Sequence, residues 1–289
     1  MSLAKILAVV GGGPGSEAAV TAALDLGQRF SARVELLHVE IDAETSMPMI
    51  GEGMSGAAVE QLAQSLRAEA QGRLREVQRL FEVYCVAPGL PLVEPDGARE
   101  AGAFAVCFRH VVDREVDQVL RYGRLSDLIV MARPGAESEA GLSAAFDAAL
   151  FDSGRAVLLV PAEPVTGLGA TVAVAWDRSR EAARAAGAAL PILAQAEKIV
   201  ILTAREGGND AEPSELAHYL ALHGLDARTW AFTPGPGSLG EALLGEAEKA
   251  EADLLVMGAY GHSRLREMVL GGVTRDILGG AAIPVLMVH

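Results

Sequence analysis

Four glycines in the last third of the chain carry its most chemically suggestive spacing. After the apolar run Asp253–Met257 comes Gly258, then two residues, Gly261, nine residues, Gly271, and directly Gly272 and Val273. Glycine lets backbone approach a ligand closely and accepts left-handed dihedrals. Gly271, Gly272 and Val273 would open a helix, whose free N–H groups and dipole attract phosphate. His262 and Arg264 inside the segment could reach such phosphates, or could be exposed loop side chains. A second run, Gly11-Gly12-Gly13-Pro14-Gly15, reads as a phosphate loop or as a tight strand-to-helix turn. The turn is the plainer reading, because no G-x-x-x-x-G-K-[ST] pattern occurs and the chain has three lysines, Lys5, Lys198 and Lys249. His218 and His223 lie five apart, which does not put them on one helix face, so a metal pair is not expected. Asp127 and Asp253 each precede an apolar run and are expected to end turns. Cys85 and Cys107 sit in apolar stretches and read as buried small hydrophobes in a reducing compartment, with a redox pair as the alternative.

These residues need strands and helices to position them. Lys5–Val10 is a short continuous apolar run, as suits a strand buried on both faces of a parallel sheet. Ser16 can cap a helix over 17–31, and Val34–Val39 is the next strand. Glu40 to Gly56 reads as loop. Val59, Leu62, Leu66, Ala70, Leu74, Val77 and Phe81 recur at helical spacing, which predicts a long amphipathic helix. A strand near 103–111, a helix near 113–125, a strand Asp127–Ala132, a helix near 138–152 and a strand Val157–Val160 complete the first half.

After Pro161–Gly167, read as a linker, the pattern restarts. Strands are predicted at Thr171–Trp176, Lys198–Thr203, Asp226–Phe232, Asp253–Met257 and Pro284–Val288. Helices are predicted at Arg178–Leu193, Glu212–His223, Ser238–Ala250 and 272–280. Asp127-Leu-Ile-Val-Met131 matches Asp253-Leu-Leu-Val-Met257, and Ala156-Val-Leu-Leu-Val160 matches Pro284-Val-Leu-Met-Val288. Ser16-Glu17-Ala18-Ala19 likewise aligns with Arg180-Glu181-Ala182-Ala183, which puts Gly13 in the place of Asp177. Agreement at three places in one order predicts one α/β domain written twice, over 1–164 and 165–289.

Composition removes several classes of function. With 24 basic and 38 acidic residues the net charge is −14, which disfavours nucleic acid and anionic lipid as partners. A 51% hydrophobic content excludes wholesale disorder. Few residues are aromatic and many are alanine, so helices packed closely on a flat sheet are expected. No apolar run is long enough to span a membrane and no signal peptide fits the N-terminus, so a cytoplasmic location is expected.

The glycine spacing, its place after the fourth strand and the closing Pro284-Val-Leu-Met-Val288 resemble the universal stress protein family, in a tandem form. The resemblance implies two Rossmann-like, flavodoxin-like domains, each a five-stranded parallel sheet flanked by helices. In the family's ATP-binding branch this motif holds the phosphates and ribose. Carried over by position, Gly258, Gly261, Gly271, Gly272 and Val273 form the motif, and Met257 would touch adenine. Ala175-Trp176-Asp177 falls on the family's apolar, small, Asp pattern. Asp177 would bind ribose hydroxyls or help hold Mg²⁺ on the phosphates, or could simply cap the next helix. Ala204 falls at a further adenine-contacting position.

Two departures stand out. Gly272 replaces the usual Ser or Thr, which Thr274 would only partly restore, and Trp176 is bulky for its place, where it could stack near the base or obstruct it. The first half lacks the spacing altogether and is expected to be a degenerate copy.

Three functions follow from this resemblance. The first is a stress-response regulator or sensor that binds ATP or another adenine nucleotide with Mg²⁺ in its second half, read by an unknown protein partner. The second is a slow Mg²⁺-dependent ATPase, and the third is a ligand-free interaction module. The apolar strands Val157–Val160 and Val285–Val288 could pair as two sheet edges, giving a pseudo-dimeric monomer; a homodimer of the whole chain is the alternative.

Overall fold

Alternate residues of the first strand, β1 (Lys5–Val9), enter different layers of core. Ile6 and Ala8 join one apolar layer with Val10, and Leu7 and Val9 join the other. A strand covered on both faces has no polar side to show, which is why the run is continuously apolar. The computed structural model describes residues 2–41, 56–97, 102–133, 144–165, 167–205, 212–259 and 272–289.

The first half continues through α1 (Ser16–Phe30), β2 (Arg33–Glu40), α2 (Gly56–Phe81), β3 (Ala105–Val112), α3 (Glu115–Gly123), β4 (Leu128–Ala132), α4 (Ala144–Asp152) and β5 (Ala156–Val160). The second repeats the alternation with β6 (Thr171–Ala175), α5 (Arg180–Leu193), β7 (Lys198–Ala204), α6 (Pro213–Leu222), β8 (Arg228–Phe232), α7 (Leu239–Lys249), β9 (Leu254–Gly258), α8 (Gly272–Gly280) and β10 (Val285–Val288). Among the described residues ten strands form one sheet, in the order β3-β2-β1-β4-β5-β10-β9-β6-β7-β8. Each set of five is parallel, and the sets join through an antiparallel pair, Val285 opposite Leu159 and Met287 opposite Val157. The two apolar edges expected to meet do meet, and each covers the other's unpaired backbone.

Alanine does what the composition suggests. Ala18, Ala19, Ala22 and Ala23 of α1 and Ala182, Ala185, Ala186 and Ala189 of α5 are buried against the sheet. Helix α1 also uses Gly27, where a Cβ would lie 2.3 Å from a methyl of Val34.

The start of α1 differs from the expectation. Its N-cap is Gly15, in left-handed conformation, and no side chain caps the helix. Ser16 is instead the first helical residue, and its hydroxyl accepts from the Gly12 N–H at 3.0 Å. Beyond Phe81 the chain makes a further π-helical turn, Glu82–Val86, before Pro88. Within that turn the Tyr84 hydroxyl donates to Glu17 of α1.

Asp127 and Asp253 are structural, as expected, with a more definite task than ending a turn. Asp127 accepts from the N–H groups of Ala4 and Lys5, at 2.7 and 2.9 Å. Asp253 accepts from Gly169, Ala170 and Thr171, at 2.6, 3.0 and 2.9 Å. Each pins the entry of its own half's first strand. Cys85 and Cys107 are buried and unbridged, and burial pushes the Cys85 thiol up to about 12, which leaves it unreactive.

His38 on β2 is buried, with Nδ1 2.8 Å from the Val10 carbonyl and its ring stacked on His110 of β3. Burial holds its proton affinity below the usual histidine value of 6.5, outweighing the Val10 hydrogen bond, and His110 and Arg73 add repulsion. Above that value the ring is neutral in folded and unfolded chains alike. As the pH falls through it, the unfolded chain takes up a proton that the folded chain refuses, so stability declines. Urea midpoints at pH 7.5 and 5.5 should therefore fall more for the wild type than for His38→Asn. Equal falls would refute the assignment.

Candidate functional site

Strands β6 and β9 are neighbours, yet the helices that follow them pack on opposite faces of the sheet. Helix α5 buries Ala185, Ala186 and Ala189 in one apolar layer, and α8 buries Ile277 and Leu278 in the other. A crevice therefore opens above the carboxyl ends of β6 and β9, the place where open α/β sheets receive ligands.

The described site residues gather around this crevice. Ala175 ends β6 opposite Leu202 of β7, and Ala204 ends β7. Met257 and Gly258 end β9 opposite Met287 and Val288 of β10. Gly272 begins α8, followed by Val273 and by Thr274, which is buried at 3% exposure. Gly261, His262, Arg264 and Gly271 lie outside the described residues.

Gly258 has a clear reason to be glycine. A Cβ there would lie 2.5 Å from the Ala182 nitrogen and 2.6 Å from the Glu181 carbonyl carbon, so the first turn of α5 rests on the end of β9. The first half solves the same contact in reverse. Its β4 ends in Ala132, and the N-cap Gly15 leaves room for that methyl, since a Cβ on Gly15 would meet it at 2.7 Å.

Asp177 is exposed and is not the cap of α5. Ser179 is the N-cap, accepting from the Ala182 N–H at 3.0 Å, while Asp177 Oδ1 accepts from the Ser179 N–H at 2.8 Å. Arg178, in left-handed conformation, pairs with Glu215 of α6 through Nε at 2.6 Å. Trp176 donates its backbone N–H to Leu202 and packs its ring against the core layer under α5 and α6. Its indole Nε1 and the neighbouring Thr203 Oγ1 are buried without a hydrogen-bond partner.

Glu181 is a residue that sequence reasoning did not single out. It is 2% exposed, in the first turn of α5 beside Gly258. Burial pushes its carboxyl up, but the Arg180 guanidinium at 2.5 Å and its own backbone N–H outweigh that and hold it below the usual carboxylate range. Its position four residues after Asp177 carries no signal, because only the packing of α5 on β9 brings it to the site.

Among the described residues no three His, Cys, Asp or Glu side chains gather as a metal site. Among the described residues at the crevice, Asp177 is an exposed carboxylate, so Mg²⁺ would fit here as an ion carried with phosphates, the usual way this ion binds.

The first half presents a different surface. Ladder pairing sets Ala8 opposite Val130 and Val9 opposite Leu37, as Val174 stands opposite Val256 and Ala175 opposite Leu202. This register puts Gly11, not Gly13, in the place of Asp177. Gly12 has a φ of 77°, and a Cβ on it would lie 2.4 Å from the Arg73 carbonyl oxygen, so α2 passes directly over the end of β1. Gly11–Gly15 is thus a tight turn under a helix. The helix equivalent to α8 is α4, and it carries Asp147 in its first turn, whereas α8 has no acid there. A carboxylate at that end occupies the favourable end of the helix dipole and opposes phosphate.

Fold and crevice together define a class: a tandem, doubly wound α/β protein whose second half ends in a glycine-rich strand-to-helix segment. The Universal stress protein family profile matches residues 232–289. A universal stress protein of Synechocystis sp. is 46% identical over 54 residues, a segment covering 16% of this chain and 19% of that relative. The match thus spans about a fifth of the length of that curated relative. A universal stress protein from Archaeoglobus fulgidus has the same fold over 98% of this chain and 95% of its own, at 18% identity and a TM-score of 0.68. A further one from Pseudomonas aeruginosa covers 99% and 93%, at 15% identity and a TM-score of 0.57. Residues 232–289 thus match the universal stress protein family, and the chain as a whole has the fold of a solved universal stress protein. Among the described residues, no helix is long and apolar enough to cross a membrane.

Proposed function

We propose that the second half binds an adenine nucleotide, ATP in the first instance, and that binding alters a surface read by a protein partner in a stress response. The observation that carries this reading is the crevice over β6 and β9. It has a side-chain-free rim at Gly258, and across it a helix opens at Gly272 with no acid in its first turn. Backbone N–H groups and a helix terminus suit an anion in a chain of net charge −14. Asp177, exposed at the end of β6, is the residue for ribose hydroxyls or a phosphate-bound Mg²⁺. Gly272 brings no hydroxyl, and Thr274 is too buried to replace it. The first half, closed by α2 and bearing Asp147, has a structural role.

Hydrolysis is the weaker reading. Lys198 begins β7, at the opposite end of the sheet, and donates to the Ala250 carbonyl at 2.8 Å. Lys249 pairs with Glu246 on the exposed side of α7. Neither is available to meet charge developing on a phosphate.

Purified protein should release an adenine nucleotide on denaturation, or bind ATP with Mg²⁺ when stripped. Asp177→Ala should weaken that binding roughly tenfold, the scale of one hydrogen bond to a charged group. Hydrogen exchange over 258–272 should slow with nucleotide. Identical exchange with and without ATP and Mg²⁺, together with no released nucleotide, would refute the reading.

A further inference from the structure

Helix α8 is poorly equipped to hold itself in place. Its nine residues include Gly272, Gly279 and Gly280 and the β-branched Val273, Thr274 and Ile277. Such a sequence has low helix propensity, and an isolated helix of this length is marginal in water. It has no basic residue in its last turn to meet the negative end of its dipole.

The first half supplies one. Because β5 and β10 run antiparallel, the carboxyl end of the first set of strands lies beside the amino end of the second, where α8 finishes. Arg133 directly follows β4 and is anchored there by its N–H, which donates to the Val160 carbonyl at 2.8 Å. Its guanidinium crosses the seam, and Nη1 donates to the carbonyl of Ala281. Ala281 closes the last turn of α8, its own N–H donating to Ile277 at 2.9 Å. The opposite crossing also touches: Phe151 of α4 meets the ring of His289, edge to face at 4.9 Å, and His289 Nδ1 lies 3.1 Å from the Ala259 carbonyl, just past β9.

We propose that Arg133 is a positioning residue for the second half's nucleotide site. Its hydrogen bond and charge fix the C-terminus of α8, and thereby set where the N-terminus meets the phosphates. Cation at one end and phosphate at the other stabilise the same dipole, so the two are linked. The first half is then part of the binding apparatus even though its own crevice is closed. This rests on the nucleotide reading for its function, but the contact itself can be tested apart from it.

The test uses the full chain with Arg133→Ala and Arg133→Lys. Amide exchange is followed across α5, α7 and α8 without nucleotide, and ATP with Mg²⁺ is then titrated. In Arg133→Ala the C-terminal amides of α8 should exchange roughly three- to thirty-fold faster, the range of a charge at a partly buried helix end, with little change in α5 and α7. Nucleotide affinity should fall in the same variant, and Arg133→Lys should recover most of both. Unchanged α8 exchange, or equal acceleration in all three helices, overturns the proposal. So does faster α8 exchange with unchanged affinity. A wild type that binds no nucleotide overturns the nucleotide reading, while the exchange arm still decides whether Arg133 holds α8. If Arg133→Ala is not recovered folded, Arg133→Gln removes the charge and is read in the same way.

Discussion

Gly258→Val is expected to lower the unfolding free energy by about 3 kcal/mol, the upper range for forcing extra atoms into a packed core. The reason is that the intruding carbons would meet main chain. At 2.5 Å the nearest atom is the Ala182 nitrogen, followed by the Glu181 carbonyl carbon at 2.6 Å. A flexible side chain could swing away, but the first turn of α5 can move only as a unit. Relief would lift that turn from β9 and carry with it Ser179, which holds Asp177 in its turn. The variant should therefore lose both stability, read as a urea midpoint, and nucleotide binding. Ala132→Gly, at the equivalent position of the first half, removes one methyl and should leave binding intact. A Gly258→Val midpoint equal to wild type would show that α5 does not rest where the geometry puts it.

Glu35→Ala should cost a comparable amount for an electrostatic reason. Glu35 lies on β2 with its side chain 1% exposed, and it receives Lys5 Nζ at 2.8 Å and the Nε of Arg109. Removing the carboxylate takes the buried partner from Arg109 and from the part-exposed Lys5. Breaking a buried pair from one side costs about 3 kcal/mol or somewhat more, chiefly as uncompensated burial of the surviving charge. Arg109 is the more strongly held of the two, being 13% exposed and stacked 4.4 Å above the Tyr122 ring. It also pairs with Asp96, but that carboxylate is 89% exposed, so Asp96→Ala should shift the urea midpoint little. Equal shifts for Glu35→Ala and Asp96→Ala would show that burial does not govern this cluster.

Much of the architecture was legible because it follows from local chemistry. Strands buried on both faces must be apolar throughout, so Val9, Val130 and Val256 announced their strands directly. The repeat could be read because Asp127 and Asp253 recur before matching runs, and both serve the start of their own first strand. The pairing of Val157–Val160 with Val285–Val288 was legible as a need for cover, since an apolar edge must be paired with something.

Contacts between distant segments were not legible. Aligning Ser16-Glu17 with Arg180-Glu181 placed Gly13 on Asp177, whereas ladder pairing puts Gly11 there, because the first half's loop from strand to helix is two residues longer. Nothing local to Gly12 reveals that the Arg73 carbonyl will lie over it. Trp176 could be read only as bulky, and its ring goes to the core under α5 and α6.

From the residues alone, then, come two α/β halves, a resemblance to the universal stress protein family, and a glycine-rich segment in the second half. Those follow from periodicity, repetition and the lack of side chains at particular spacings, all of them properties of short stretches. Only the tertiary structure decided that α2 closes the first crevice, that Glu181 stands beside Gly258 and that Arg133 reaches the end of α8. Each depends on where one segment lands against another far along the chain, which close packing and the antiparallel seam determine and local sequence does not.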